Sequence, residues 1–204
     1  MASSAPTSAT GATGATGTGN TPSFSSLGIK HTDIKCAPGV ELNEQQKVIV
    51  GSVLDLFEGH PTLKHFSLWS QNATFADNIT VAQGYNKYTS QFYGLPALFN
   101  PIELQRATVV NGGNPIEMEM SNKYVIKGIK KEQTMDSLVR IHLGSDGKIE
   151  KVEDKWNGKL PEGAISDAFR KLNAVTVPAF VKVPKTEEED MKMKADREAS
   201  QDSK

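Results

Sequence analysis

The sequence predicts an α+β domain in which helices cover one face of an antiparallel sheet. Three observations carry that reading. Apolar residues recur at helical spacing in the first half of the ordered region. Four segments with two-residue alternation follow it. Tight-turn signals, rather than further helices, separate those four.

The elements follow in order. Residues 1–26 are mostly Ala, Ser, Thr and Gly with an imperfect Gly-Ala-Thr repeat, and residues 27–41 form a transition with a turn at Pro38-Gly39. Such a segment has little to bury, so ordering it is unfavourable. Asn43 is a candidate N-cap for a helix carrying Val48, Val53, Leu54, Leu56 and Phe57, stopped by Gly59 and Pro61. A short helix is expected over 61–69, a strand over 73–77, and a helix over 82–93 that ends at Gly94 and Pro96. The four strands are expected at 102–110, 116–126, 131–143 and 148–156. The second alternates most clearly, with Ile116, Met118, Met120, Tyr124 and Ile126 on one face. Residues 161–173 read as an amphipathic helix with Ile165, Ala168, Phe169 and Leu172 in register, and 175–184 as an extended apolar arm. Residues 185–204 are densely charged, and a solvated helix or coil is expected there. The expected organisation is a disordered tail and linker over 1–40, a folded domain over 41–160, a helix and arm over 161–184, and a charged disordered tail over 185–204.

Composition excludes several classes. Lys plus Arg number 23 against 24 Asp plus Glu, a net charge of -1, which gives no general attraction to nucleic acid or anionic membrane. A single cysteine, Cys36, excludes an intrachain disulfide and reads as a lone thiol in a linker. No apolar run is long enough for stable membrane insertion, and the first residues lack a secretory signal, so a cytoplasmic protein is expected, with the nucleus as the alternative. On that reading the two glycosylation patterns at Asn72 and Asn78 are chance matches. Phosphate-loop, serine-elbow and zinc motifs are missing from the sequence; His60 and His65 have no carboxylate at metal-ligand spacing, so neither cofactor nor metal is expected.

Several segments together resemble one superfamily. Phe66 to Asp77 looks like an aromatic-rich short helix running into an Ala-Thr-hydrophobic-x-Asp strand. Gly84 to Tyr93 looks like the helix that follows it, and Leu143 to Ile149 like the final hairpin. Their order over 42–157 resembles the nuclear transport factor 2-like superfamily, which includes SnoaL-like polyketide cyclases and ketosteroid isomerases. The resemblance implies a bent antiparallel sheet wrapped around helices, a cystatin-like cone with an interior apolar pocket, here with an added C-terminal amphipathic helix. Asp77 matches the position of the isomerases' general base. Ser52 and Val139 stand where those enzymes place a tyrosine and a protonated aspartate, and neither can supply such an acidic donor.

Each candidate has two readings. Asp77 is a pocket base or a turn cap. Asp154 shares strand parity with Val152 and Trp156 and faces the pocket unless a bulge flips it. Arg106, at the parity of Ile102, Leu104 and Val110, is expected on the apolar face, paired with Asp77, Asp154 or a ligand carboxylate. His142 is a proton shuttle or an outer-face histidine. Trp69, Tyr88, Phe92 and Trp156 are core aromatics or line the cavity. The helix and arm at 161–184 read as a lid or a homodimer arm. Three functions follow: binding a small apolar molecule in the cone, acid–base catalysis of isomerase, cyclase or dehydratase type through Asp77 or Asp154, and an adaptor role through the exposed sheet face.

Overall fold

The computed structural model describes residues 22–158, 162–174 and 181–202. The expectations for residues 1–21 and for 175–180 lie outside the described residues. The elements are α1 (Phe24–Leu27), α2 (Glu44–Phe57), α3 (Leu63–Phe66), β1 (Trp69–Ala76), β2 (Val81–Gln83), α4 (Tyr85–Leu98), β3 (Phe99–Asn111), β4 (Ile116–Ile126), β5 (Glu132–Leu143), β6 (Ile149–Trp156), α5 (Ala164–Ala174) and α6 (Glu187–Asp202).

The six strands make one curved sheet in the order β2-β1-β6-β5-β4-β3. The last four strands form an antiparallel meander, as their turn signals predict, while β1 pairs parallel with β6. On β4, Ile116, Met118, Met120 and Tyr124 are buried, which sets the inner face. Helices α2 and α4 fill that face; Ile49, Val53 and Leu56 of α2 and Phe92 of α4 are fully buried. Asn43 caps α2, and its side chain and that of Gln46 satisfy each other's backbone N–H groups.

The structure departs from the sequence reading in five places. First, α4 runs through Pro96 to Leu98. The proline falls in the last turn, where it costs one hydrogen bond, not a whole helix. Second, β2 occupies residues expected to open that helix, pairing with β1 to cover its far edge. Third, residues 22–41 are docked rather than a free linker: Leu27 and Ile29 are buried, and the backbone of Lys35 and Ala37 brackets Val109 with two 2.8 Å hydrogen bonds.

Fourth, residues 187–202 form a helix, one of the two forms expected for 185–204, but it is anchored to the domain and not a solvated, disordered tail. Asp190 is buried and accepts from the Tyr93 hydroxyl (2.7 Å) and from the Leu63 N–H (2.7 Å). Arg197 donates to the Pro61 carbonyl at 2.8 Å and lies over the Tyr93 ring. A few specific anchors, not apolar area, hold α6. We expect Asp190→Ala to detach it at a cost of about 2 kcal/mol, because a buried tyrosine hydroxyl and a helix N–H lose a charged acceptor. Limited proteolysis should then cut within 187–202 at protease levels that spare the unaltered chain.

Fifth, Arg106 is not on the inner face. The pairing of β3 with β4 slips between Leu104 and Arg106, opposite Asn122 and Ser121, so Gln105 is an extra residue. That bulge moves the inward set from Ile102 to Val109, and Arg106 turns outward with its side chain 63% exposed, 3.9 Å from Asp136. The expected Arg106 pairing with Asp77 or Asp154 does not occur.

Candidate functional site

Between the inner sheet face and the helices lies an enclosed cavity of about 20 Å³, room for about one water. Phe57 of α2, Phe92 and Leu95 of α4 and Phe75 of β1 form one wall. Tyr124 and Trp156 come from β4 and β6, and Phe169 and Leu172 of α5 close the mouth. Phe169 is packed on Phe99 at 5.0 Å, Tyr124 at 5.4 Å and Trp156 at 5.3 Å between ring centres. Leu172 lies so close to Gly94 that a Cβ there would collide with its Cδ1. Helix α5 therefore covers this end of the cone, its amphipathic face supplying Phe169 and Leu172.

Among the described residues the polar lining includes the carboxyls of Asp77 and Asp154 and the Gln91 amide, beside Tyr124 and Trp156. Asp154 is 4% exposed. Its Oδ2 accepts from Trp156 Nε1 at 2.8 Å, and its Oδ1 has no partner. Desolvation pushes its pKa up to about 6, against the opposing influence of the nearby Ser137 hydroxyl and the Trp156 hydrogen bond, and the Asp77 charge adds to the rise. Alternation along β6 placed Asp154 inward, and no bulge intervenes there: Val139↔Asp154 and Ile141↔Val152 are in register.

Asp77 is foremost a turn cap: its Oδ1 accepts from the N–H of Ile79 (2.8 Å) and Thr80 (2.6 Å). It also lines the cavity, and burial raises its pKa despite those N–H groups. Asn78 then clamps the Trp156 backbone, accepting from its N–H at 3.1 Å and donating to its carbonyl at 3.4 Å. The Asp77-Asn78 turn thus positions the tryptophan that holds Asp154. Gln91 of α4 presents an unpartnered Nε2 and is buried.

Of the four aromatics expected at the cavity, Phe92 and Trp156 line it. Trp69 and Tyr88 do not: they stack on each other at 4.9 Å in the core, and the Tyr88 hydroxyl donates to the Ser70 carbonyl. His142 sits on the outer face, 3.0 Å from Glu153. Ser52 is buried with an unpartnered hydroxyl, and Val139 pairs directly opposite Asp154. Sequence reasoning missed Gln91, Phe57, Phe75, Tyr124 and Phe169 as lining residues. Parity on β4 and helical phase on α5 contained the signal for Tyr124 and Phe169.

A second buried polar centre lies on the far side of α2. Asp55, fully buried, accepts from the Lys30 N–H (2.8 Å), the His31 N–H (3.1 Å) and pairs with His31 Nδ1 at 2.7 Å. His65 Nε2 stands 3.4 Å from Asp55 Oδ2, an ion-pair distance without hydrogen-bond alignment. Glu58 lies 3.5 Å from His31 and 3.6 Å from His60. Burial costs the charged form of Asp55, and the histidine and backbone donors outweigh it, holding the carboxyl well below the usual range. The Asp55 hydrogen bond raises His31, whereas burial lowers His60 to about 4. Among the described residues no group of three such side chains could hold a metal ion.

Larger depressions of about 210, 350 and 760 Å³ open on the surface. Among the described residues none of them is lined by a buried carboxyl with an unused oxygen, so the chemistry points to the smaller cavity. The outer sheet face is laced with cross-strand pairs, Arg140–Glu117 at 2.8 Å and Lys123–Glu103 at 2.7 Å among them. No described helix is long and apolar enough to cross a membrane.

No protein-family model matches the sequence, and no curated protein does. Solved structures that resemble it include ketosteroid isomerase-like, nuclear transport factor 2-like and SnoaL-like proteins. One is a nuclear transport factor 2-like protein of unknown function from Exiguobacterium sp. 255-15, at 19% identity over 54% of this chain and 99% of that one, TM-score 0.45. Another, with a cystatin-like fold, is from Silicibacter pomeroyi DSS-3: 11% identity, 65% and 86% coverage, TM-score 0.48. A third has a ketosteroid isomerase-like fold and is from Catenulispora acidiphila DSM 44928, in complex with trimethylamine: 14% identity, 52% and 82% coverage, TM-score 0.44. At this level of similarity neither activity nor ligand passes from them to this chain.

Proposed function

We propose that this chain binds a small apolar molecule inside the cone, with the molecule's polar group against Asp154, and that α5 lifts to admit it. The carrying observation is the Asp154 carboxyl, buried with a free Oδ1 in an otherwise aromatic cavity. A buried unpaired acceptor costs stability and is retained where something uses it. Entry needs movement, since the closed cavity admits about one water. Gly158 and Gly163, both at positive φ (96° and 62°), sit between β6 and the body of α5, where backbone freedom would serve a hinge.

Gly94→Ala tests the lid. Its Cβ would strike Leu172, so α5 should loosen by about 1–3 kcal/mol. If the open form is the one that binds, its larger population should raise apparent affinity for an apolar probe such as Nile red roughly tenfold. An unchanged or weaker affinity in Gly94→Ala would reject the lid. Native mass spectra of the same samples would report any co-purified molecule and whether the chain is a homodimer.

The raised pKa of Asp154, at about 6 beside Asp77, favours a second reading: an isomerase, cyclase or dehydratase in which Asp154 exchanges a proton with the bound molecule. Turnover lost in Asp154→Asn with binding retained would select it.

A further inference from the structure

We infer, resting on the binding reading above, that the ligand is an organic ammonium ion, its charged nitrogen against Asp154 and its apolar part in the place now filled by the Phe169 ring. The cavity's charge balance is the first observation. Two carboxyls, Asp77 and Asp154, line it, and among the described residues none of its lining side chains is basic. Lys155, which acts on Asp77, is half-exposed beside Glu153 on the other face of β6. Ionised Asp154 thus has no cation, and a buried anion without one is costly.

The second observation is the unused oxygen. Oδ1 of Asp154, a residue nine-tenths and more buried that lines the cavity, still has acceptor capacity. An N–H of an ammonium ion would satisfy it and supply the missing charge in one contact. The third is the wall. Tyr124, Trp156 and Phe169 meet around this point at mutual centroid distances of 5.3–5.4 Å where they touch, and Phe92 and Phe75 close the side. Aromatic faces attract cations and exclude water. A neutral alcohol would use the oxygen but leave the charge; a carboxylate would add a third negative group.

The titratable groups that face Asp154 are Asp77 from the end of β1 and Tyr124 from β4. The Ser137 hydroxyl of β5 lies near it and Gln91 comes from α4, while the Asp167, Arg170 and Lys171 side chains of α5 are exposed. Ammonium binding is therefore coupled to loss of the Asp154 proton.

The test uses benzylammonium and benzyl alcohol, which differ in charge but hardly in shape, titrated calorimetrically into the full chain. Benzylammonium should bind at least tenfold tighter at pH 7.5. Between pH 7.5 and 5, across the Asp154 midpoint near 6, its affinity should fall about tenfold as the ionised fraction falls, while benzyl alcohol should change little. Asp154→Asn should abolish the preference for the cation; the pH series on the unaltered chain stands without the variant. Benzyl alcohol binding as well as or better than benzylammonium would overturn the ammonium assignment and leave the binding reading intact. Failure of both probes, in the unaltered chain and in Gly94→Ala, would overturn both.

Discussion

Asp55→Ala is expected to destabilise the protein by about 3–5 kcal/mol, read as a shift in the urea unfolding midpoint. The substitution strands the N–H groups of Lys30 and His31, and leaves His31 and His65 without their carboxylate. Domains typically hold about 5–15 kcal/mol, so the loss is a large fraction of the whole. The loss should be local in its first stage: residues 29–31 and α1 rest on α2 through this one side chain and the apolar contacts of Leu27 and Ile29. Hydrogen exchange at Lys30 and His31 should therefore accelerate before global unfolding does. The pair also has a pH window. The Asp55 pKa is depressed, so its contribution is present above the ordinary carboxylate pKa and is lost as pH falls through its lower folded value. The His31 pKa is raised, so its contribution is present below 6.5 and lost as pH rises through its higher folded value. The latch is therefore strongest in mildly acidic solution, and the stability difference between Asp55→Ala and the unaltered chain should peak there.

Asp154→Asn is expected to act in the opposite direction, stabilising the fold at pH 7.5 by about 3 kcal/mol. The sign follows from its raised pKa. A carboxyl that moves from 3.8 unfolded to about 6 folded holds its proton more tightly when folded. The ionised form therefore opposes folding above pH 6, by about 1.4 kcal/mol for each pH unit that separates the two values. Stability of the unaltered chain should rise on acidification from 7.5 to about 4.5, and the variant should lack that rise. Equal slopes for both would mean that Asp154 is not the desolvated acid described above. A group that weakens its own protein and is still held by Trp156 has the thermodynamic character of a site.

Much of this was legible in the sequence, and the failures have physical causes. The β4–β6 alternation placed Tyr124, Asp154 and Trp156 because period two survives wherever pairing is regular. The same rule misplaced Arg106, because a single extra residue at Gln105 reverses parity and nothing in the residue types there announces it. Trp69 and Tyr88 were expected at the cavity because ring count does not distinguish a lining ring from a core ring; Phe66 packs against both at 6.2 and 5.8 Å, away from the cavity lining. The anchoring of α6 escaped because composition measures how much a segment can bury, whereas α6 is held by Asp190 and Arg197 at particular points. The Asp55 centre escaped because its members are 24 and 10 residues apart in sequence and meet only after α2 and α3 fold.

The parallel pairing of β1 with β6 sets the order of assembly. Phe75 lies beside Val152, so most of the domain's chain separates two strands that must touch. The β3–β6 meander closes short loops, whereas the β1–β6 contact closes one long loop and recovers its entropy only when the sheet's other strands already stand. The Asp77-Asn78 turn, which fixes Trp156, belongs to that late contact. The cavity's polar end is thus among the last parts of the molecule to form, and a chain stalled before that step would have a sheet but no pocket.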